Sequence, residues 1–289
     1  MKKNIFRIIS TSFALILITT FTNAQTIKTP AASPQQTVTQ DFGLGQIKIE
    51  YGRPGVKDRV IFGELVPFNQ PWRTGANGST KITFTDSVKV NGTAVAPGTF
   101  AMYTIPSQTE WDIIFSKDLS IGANVADYKP ADEIIHFKVK PTVMNDKMET
   151  FTININSIKN TSCIIDLMWD KTKVSFPVTT EIESKIEKQI AKELAPGDNK
   201  PYYAAANYYF NNGKDLNKAL EWATKAVANN PDAYWMSYLK AEIQMKQKDY
   251  SGTIKSAELS LAKAREDKND EFIKFNEKLI AEAKKMGGK

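Results

Sequence analysis

Arginine is scarce in this lysine-rich chain, and it is gathered in one place. Of 38 Lys and Arg residues only five are Arg: Arg7, Arg53, Arg59, Arg73 and Arg265. Three of the five lie in the stretch Tyr51 to Thr80, YGRPGVKDRVIFGELVPFNQPWRTGANGST. A guanidinium is a planar fork that grips carboxylate or phosphate through two parallel hydrogen bonds, which an ammonium cannot do. Around the arginines stand Pro54, Pro67 and Pro71, with Gly52, Gly55, Gly63, Gly75 and Gly78. Such residues set the backbone of a loop at unusual angles. Trp72 offers a ring face to a sugar or another ring. Asn77 offers a directional amide, and Gly75 lets backbone N–H groups approach a ligand. The chemistry expected is the holding of an anionic or sugar-like ligand by Arg53, Arg59, Trp72, Arg73 and Asn77. A second use of the same arginines is open. They can staple a long loop by donating to backbone carbonyls and to acids such as Glu50, Asp58 or Glu64.

Familiar catalytic constellations are poorly represented. His136 is the single histidine. It shares parity with Lys138 and Lys140 in an alternating run, so it is expected on a wet face rather than as the base of a Ser-His-Asp or Cys-His mechanism. Cys163, the single cysteine, shares parity with Ile165 and Leu167 and reads as core. Neither His-x-x-His nor Cys-x-x-Cys occurs, so no zinc site is expected. Asp127, Asp132 and Glu133 lack the pattern of a calcium loop and read as a solvated turn. A Gly-Lys-Thr phosphate loop and a paired-Gly dinucleotide fingerprint are both missing, so no cofactor is expected. Carboxylate pairs for glycoside cleavage have no fixed spacing. A hydrolase using an acid such as Glu64 or Asp58, with arginine stabilising developing charge, is therefore the second functional reading. A purely structural exported protein is the third.

These residues need elements to position them. At 289 residues the chain is long enough for two domains with separate cores. It opens MKKNIFRIISTSFALILITTFTNAQ. A basic start, an apolar run at Phe13 to Ile18 and Thr22-x-Ala24 before Gln25 read as a secretory signal over 1–24. The run is too short to span a bilayer, and no integral membrane segment is expected after cleavage. The destination is periplasmic or extracellular. Without Lys2, Lys3 and Arg7 the formal charge falls from +6 to +3. The basic stripe of a nucleic-acid binder is absent, so no nucleic-acid partner is expected. Residues 25–40, rich in Thr, Pro, Ala and Gln, read as a flexible lead-in.

From 41 to 179 the apolar residues alternate. Ile47, Ile49 and Tyr51 alternate with Lys48 and Glu50. Ile82 with Phe84, Val88 with Val90, Thr99 to Ile105 and Trp111 to Phe115 continue the series. So do Ile135 to Val139, Phe151 to Ile155, Cys163 to Trp169 and Val174 to Val178. Asn91-Gly92 is a two-residue hairpin signal. Pro97-Gly98 marks another turn, and Gly122 to Pro130 reads as a loop. About nine strands with turns between them predict a mainly β domain, an antiparallel β-sandwich or jelly-roll-like fold.

The period changes at Thr180. Thr180-x-x-Glu183 fits a capping box. Ile182, Ile186, Ile190 and Leu194 make one apolar helical stripe over 180–195, read as a linker helix. From 200 to 289 an internal repeat recurs at 34 residues: Leu216-x-x-Ala219-Leu220 returns as Tyr250-x-x-Thr253-Ile254, and Lys214-Asp215 as Lys248-Asp249. Tyr203, Asn207, Phe210, Ala219, Ala226 and Pro231 resemble the preferred positions of tetratricopeptide repeats. A last helix, Glu271 to Met286, would cap this all-α array. Its aromatics, among them Tyr203, Trp222, Trp235 and Tyr238, serve either a peptide partner or packing between helices.

The strand-rich half also resembles a known family. Tyr51-Gly52-Arg53-Pro54, Arg59, Phe62-Gly63, Leu65-Val66-Pro67-Phe68 and Trp72 to Asn77 are similar to the signature of an exported bacterial domain family of unknown function. The likeness runs from about Pro34 to Val178. Gly52 departs from it, because Ser is commoner at that place. The resemblance implies a domain and no particular chemistry.

Overall fold

The computed structural model describes residues 29–122, 124–196 and 200–287. The expected export signal at 1–24, and residues 25–28 of the lead-in, lie outside the described residues. The chain divides between Thr179 and Thr180 into two compact units.

Among the described residues, ten strands build the first unit. They are β1 (Gln35–Phe42), β2 (Gly45–Gly52), β3 (Ala76–Phe84), β4 (Val88–Val90), β5 (Thr93–Val95), β6 (Gly98–Ile105), β7 (Trp111–Ser116), β8 (Glu133–Val139), β9 (Thr142–Asn156) and β10 (Ser162–Thr179). They form two antiparallel sheets, ordered β1-β2-β3-β6-β7-β8 and β5-β4-β10-β9. The first sheet is a meander interrupted only where the β4–β5 hairpin joins the second. Asn91 and Gly92, at φ +47° and +86°, turn that hairpin as expected. Both sheets feed one core. Ile47, Ile49 and Ile82 come from the first, and Ile153, Phe176 and Val178 from the second. The β6 and β7 strands are buried on both faces. Ile121, Val125 and Tyr128 of the following segment cover Tyr103 and Ile114 on the outer side.

Three strand expectations need correction. Gln35–Gln40, expected to be flexible, belongs to β1, which pairs along its whole length with β2. Its polar alternation is that of an edge strand with one face in water. Thr93–Val95 forms a strand too short to show a period. The runs Cys163–Trp169 and Val174–Val178 are one hydrogen-bonded element, β10, but a bent one. Nine residues of straight strand span about 30 Å. Yet Ser175 Oγ donates to Asp166 Oδ1 at 2.5 Å, so the strand doubles back near Asp170, whose φ is +51°. This fold-back also explains why the inward parity is odd up to Trp169 and even from Val174.

The two sheets are sewn together at one end. The buried Tyr51 hydroxyl accepts from Ile153 N at 2.9 Å and donates toward Gln36 Oε1 at 2.8 Å. Phe151 N donates to Pro54 O, and Val56 N to Glu149 O. Cys163 is a buried free thiol, and burial pushes its pKa up to about 11. That keeps it protonated and inert.

The second unit is helical: α1 (Glu183–Glu193), α2 (Tyr202–Asn211), α3 (Leu216–Asn229), α4 (Tyr234–Lys246), α5 (Tyr250–Glu266) and α6 (Asp270–Gly287). The first helix begins with Ile182 at its N-cap and no side-chain cap bond. Lys214 anchors α1 by pairing with Glu183 and Glu187. Buried Ala206, Ala219, Ala223, Ala241 and Ala257 allow close helix approach. Asp215 caps α3 and Asp249 caps α5, which accounts for the recurrence of Lys-Asp. Tyr234 and Tyr238 pack edge-on against Phe272, and Tyr209 against Trp222. Most of the surplus aromatics thus serve packing, while Trp235 and Phe275 remain exposed. Among the described residues no helix is long and apolar enough to cross a membrane.

Two outcomes follow from this packing. Replacing Tyr51 by Phe leaves the buried Ile153 N–H without its partner, which should cost about 1–3 kcal/mol. Urea unfolding of Tyr51→Phe is expected to show that loss with the fold retained; an unchanged midpoint would mean the hydroxyl is not what satisfies Ile153. In α4, burial raises the Glu242 pKa more than the Tyr238 hydrogen bond lowers it. A carboxyl raised in the folded state stabilises fully below its unfolded value, about 4.3, and loses that contribution as pH rises through the folded value. Glu242→Gln should therefore raise the melting temperature near pH 7, and the gain should shrink as pH falls toward 4.

Candidate functional site

The segment after β2 must leave the sheet and return to it within a narrow gap. A Cβ at Gly52 would lie 2.2 Å from Ala76 O, and one at Gly75 would lie 2.9 Å from Gly52 O. Gly75 has φ +150°, which a side chain would rarely accept. The two ends of the loop thus cross with no side chain between them. In this chain a side chain at Gly52 would force the crossing open.

Within the loop the three arginines divide their work. Arg53 donates from Nε to Phe151 O at 3.1 Å and from Nη2 to Thr152 Oγ1 at 2.7 Å. It clamps β9 to the end of β2, as the stapling alternative expects. Arg59 donates from Nε to Val56 O at 3.0 Å and from Nη2 to Gly55 O at 2.6 Å. These bonds use two of a fork's five N–H groups. The rest have no partner among the described residues. Neither arginine pairs with Glu50, Asp58 or Glu64; Glu50 is held by Lys48 at 3.0 Å. Arg73 is half-buried, and desolvation pulls its guanidinium below the ordinary value. An anion nearby would raise it again.

The turn that presents Arg59 is strained. Arg59 N donates to Val56 O at 3.1 Å, and the two central residues, Lys57 and Asp58, sit at φ +49° and +56°. This is a type I′ turn made without glycine. Thr74, buried and β-branched, is also left-handed at φ +56°. Its place is enforced by Thr80 Oγ1, which donates to Thr74 O at 2.5 Å, and by Thr80 N, which donates to Arg73 O at 3.0 Å. Strain of this kind costs about 1–3 kcal/mol per residue and clusters at functional sites.

These turns enclose a cavity of about 270 Å³. Lys57, Arg59 and Arg73 supply its cations; Trp72 and Trp169 supply aromatic wall; Ser33 reaches it from the segment before β1. No carboxylate lines it, among the described residues. Of the five residues expected to bind ligand, Arg59, Trp72 and Arg73 are brought together. Arg53 and Asn77 are not among its lining. Asn77 instead donates from Nδ2 to Ser33 O at 3.0 Å and ties down the segment that leads into β1. Trp72 is 7% exposed. Its ring stacks on Trp169 at 5.7 Å and meets Phe151 edge-on, with Nε1 donating to Gly75 O at 3.2 Å. With one face stacked on Trp169 and little of the ring exposed, it borders the cavity without offering an open stacking platform. Lys57 and Trp169 were not among the expected residues. Lys57 could have been found as the cation between two arginines, whereas Trp169 reads from its alternation only as core.

His136 lies on the outer face of the first sheet, as its parity predicts. Its Nε2 is 2.7 Å from Asp112 Oδ1 and its Nδ1 is 3.0 Å from Glu133 Oε2. The two carboxylates engage opposite ring nitrogens and do not converge on one point. Among the described residues no group of three or more His, Cys, Asp or Glu could hold a metal ion. Asp58 and Glu64 do not line this cavity.

No curated protein and no solved structure matches the chain. A family model described as "Protein of unknown function (DUF2911)" matches residues 33–178. That segment is half of the chain; it holds the crossing at Gly52, the three arginines and nearly all of the strands. The chain belongs to this DUF2911 family.

Proposed function

We propose that this is an exported binding protein. Its strand unit holds a small anionic ligand among Lys57, Arg59 and Arg73, and its helical unit is a tetratricopeptide-like array that docks a protein partner. Arg53 and Asn77 act by positioning, since they pin the loop to β9 and to Ser33. The observation that carries the reading is three cations around one cavity with no carboxylate in its lining, among the described residues. Positive charge in a partly enclosed site attracts anions more strongly than the same charge in open water. A volume of about 270 Å³ is just below the usual range for small-ligand sites, so the group held is compact. The leader-like start, with Lys2 and Lys3 before the apolar run, supports export. Asp caps 34 residues apart, on α3 and α5, support the repeat. The exposed Trp235 and Phe275 are available to a partner.

Inorganic phosphate or succinate, at constant ionic strength, is expected to raise the melting temperature of the protein. Lys57→Gln combined with Arg59→Gln should abolish the rise; an undiminished rise would defeat the reading. Lys57→Gly separates charge from strain. It relieves a left-handed residue and so should add about 1 kcal/mol of stability, while anion binding weakens. A variant that gains or loses both together would show that Lys57 does not act on the anion by its charge.

A further inference from the structure

Arg59 lines a second cavity as well. This one is about 440 Å³, and its aromatic wall is Phe62, Phe68 and Trp111. The wall continues from one cavity to the other. Phe62 meets Trp111 edge-on at 4.8 Å, and on its other sides meets Trp72 at 6.2 Å and Trp169 at 6.1 Å. Val60 and Val143, 57% and 87% exposed, add apolar surface to the second cavity. Polar groups stand among these apolar ones. Gln108, Asp170 and Thr172 line the same space. Their side chains make no hydrogen bond or ion pair among the described residues, unlike Thr142, whose hydroxyl donates to Lys173 O at 3.2 Å. Asp170 is presented at the fold-back of β10 by its left-handed backbone.

A ligand spanning both cavities needs a compact anionic group at one end of Arg59 and a body with two kinds of surface at the other. A purely apolar or aromatic acid would fit the rings but would strip water from the Asp170 carboxylate without replacing its hydrogen bonds, which is costly. A sugar ring has the required duality. Its C–H face lies against aromatic rings, and its hydroxyls donate to a carboxylate and exchange bonds with an amide and a hydroxyl. We propose that the ligand is an acidic saccharide, its acid group held among Lys57, Arg59 and Arg73 and its ring lying against Phe62 and Phe68 with hydroxyls on Gln108, Asp170 and Thr172. This inference rests on the anion-binding reading above and specifies its ligand.

Calorimetric titration of the full chain with four probes tests it. They are a uronic-acid disaccharide, the same disaccharide with its acids reduced to alcohols, acetate, and benzoate. The uronic-acid disaccharide is expected to bind at least about tenfold more tightly than each of the others, because it alone uses both cavities. Gln108→Ala combined with Asp170→Asn should weaken the disaccharide severalfold and leave the phosphate response unchanged. Arg59→Gln should weaken both. A sulfated disaccharide that outcompetes the uronate would support the proposal and identify the acid as sulfate. If acetate or benzoate binds as tightly as the disaccharide, the saccharide proposal is overturned while anion binding stands. If no acid and no phosphate binds, both readings fall.

Discussion

Two stretches of backbone cross at Gly52 with no room for a methyl group between them, and the rest of the first unit's functional end depends on that crossing. With Ala76 O only 2.2 Å from where a Cβ would stand, β2 and β3 can pair at Gly52 and Ala76 after a register shift. The chain between them is thereby forced to begin and end at one point. A loop with pinned ends holds its shape by its own internal packing. Here that packing comes from Trp72 in the aromatic core and from the Thr74–Thr80 bonds. The loop is thus rigid where it meets the sheets and is free to project cations where it does not.

The choice between arginine as staple and arginine as ligand holder proves too simple for this loop. A guanidinium has five N–H groups in a fixed plane, so one edge can bind the chain while another faces outward. Arg53 spends its bonds on β9. Arg59 uses the carbonyls of its own turn to hold its fork in place and keeps the remainder of the fork at the boundary of two cavities. A lysine could not be fixed in this manner, because its ammonium sits on a flexible stem and has no planar edge. The concentration of arginine in this segment therefore reflects orientation more than charge. Charge alone is supplied by Lys57, whose left-handed backbone is the local cost of the turn that aims both cations.

Much of the scaffold could be read from spacing alone. Alternation located the inward residues of β2, β3 and β7 to β10, because a strand places successive side chains on opposite faces. Asn91-Gly92 specified its hairpin, since both residues tolerate positive φ. The parity of His136 placed it outward, and that of Cys163 placed it in the core. Spacing failed where the inward face of a strand mixes polar and apolar residues, as Gln36, Val38, Gln40 and Phe42 do in β1, or where a strand is only three residues long, as in β5.

By itself, then, the amino-acid order determined two units of different periodicity, their inward faces, the hairpin turn and the loop in which arginine is concentrated. These are properties of neighbours a few residues apart, and covalent geometry makes them nearly independent of the remainder of the fold. Only the tertiary structure decided which arginine is a clamp, that Trp72 is stacked on Trp169, and that Trp169, Gln108 and Asp170 stand beside the loop. Those relations join residues as far apart as Arg53 and Phe151, 98 positions along the chain. No local period encodes such a distance; it is set by how the two sheets close on their shared core.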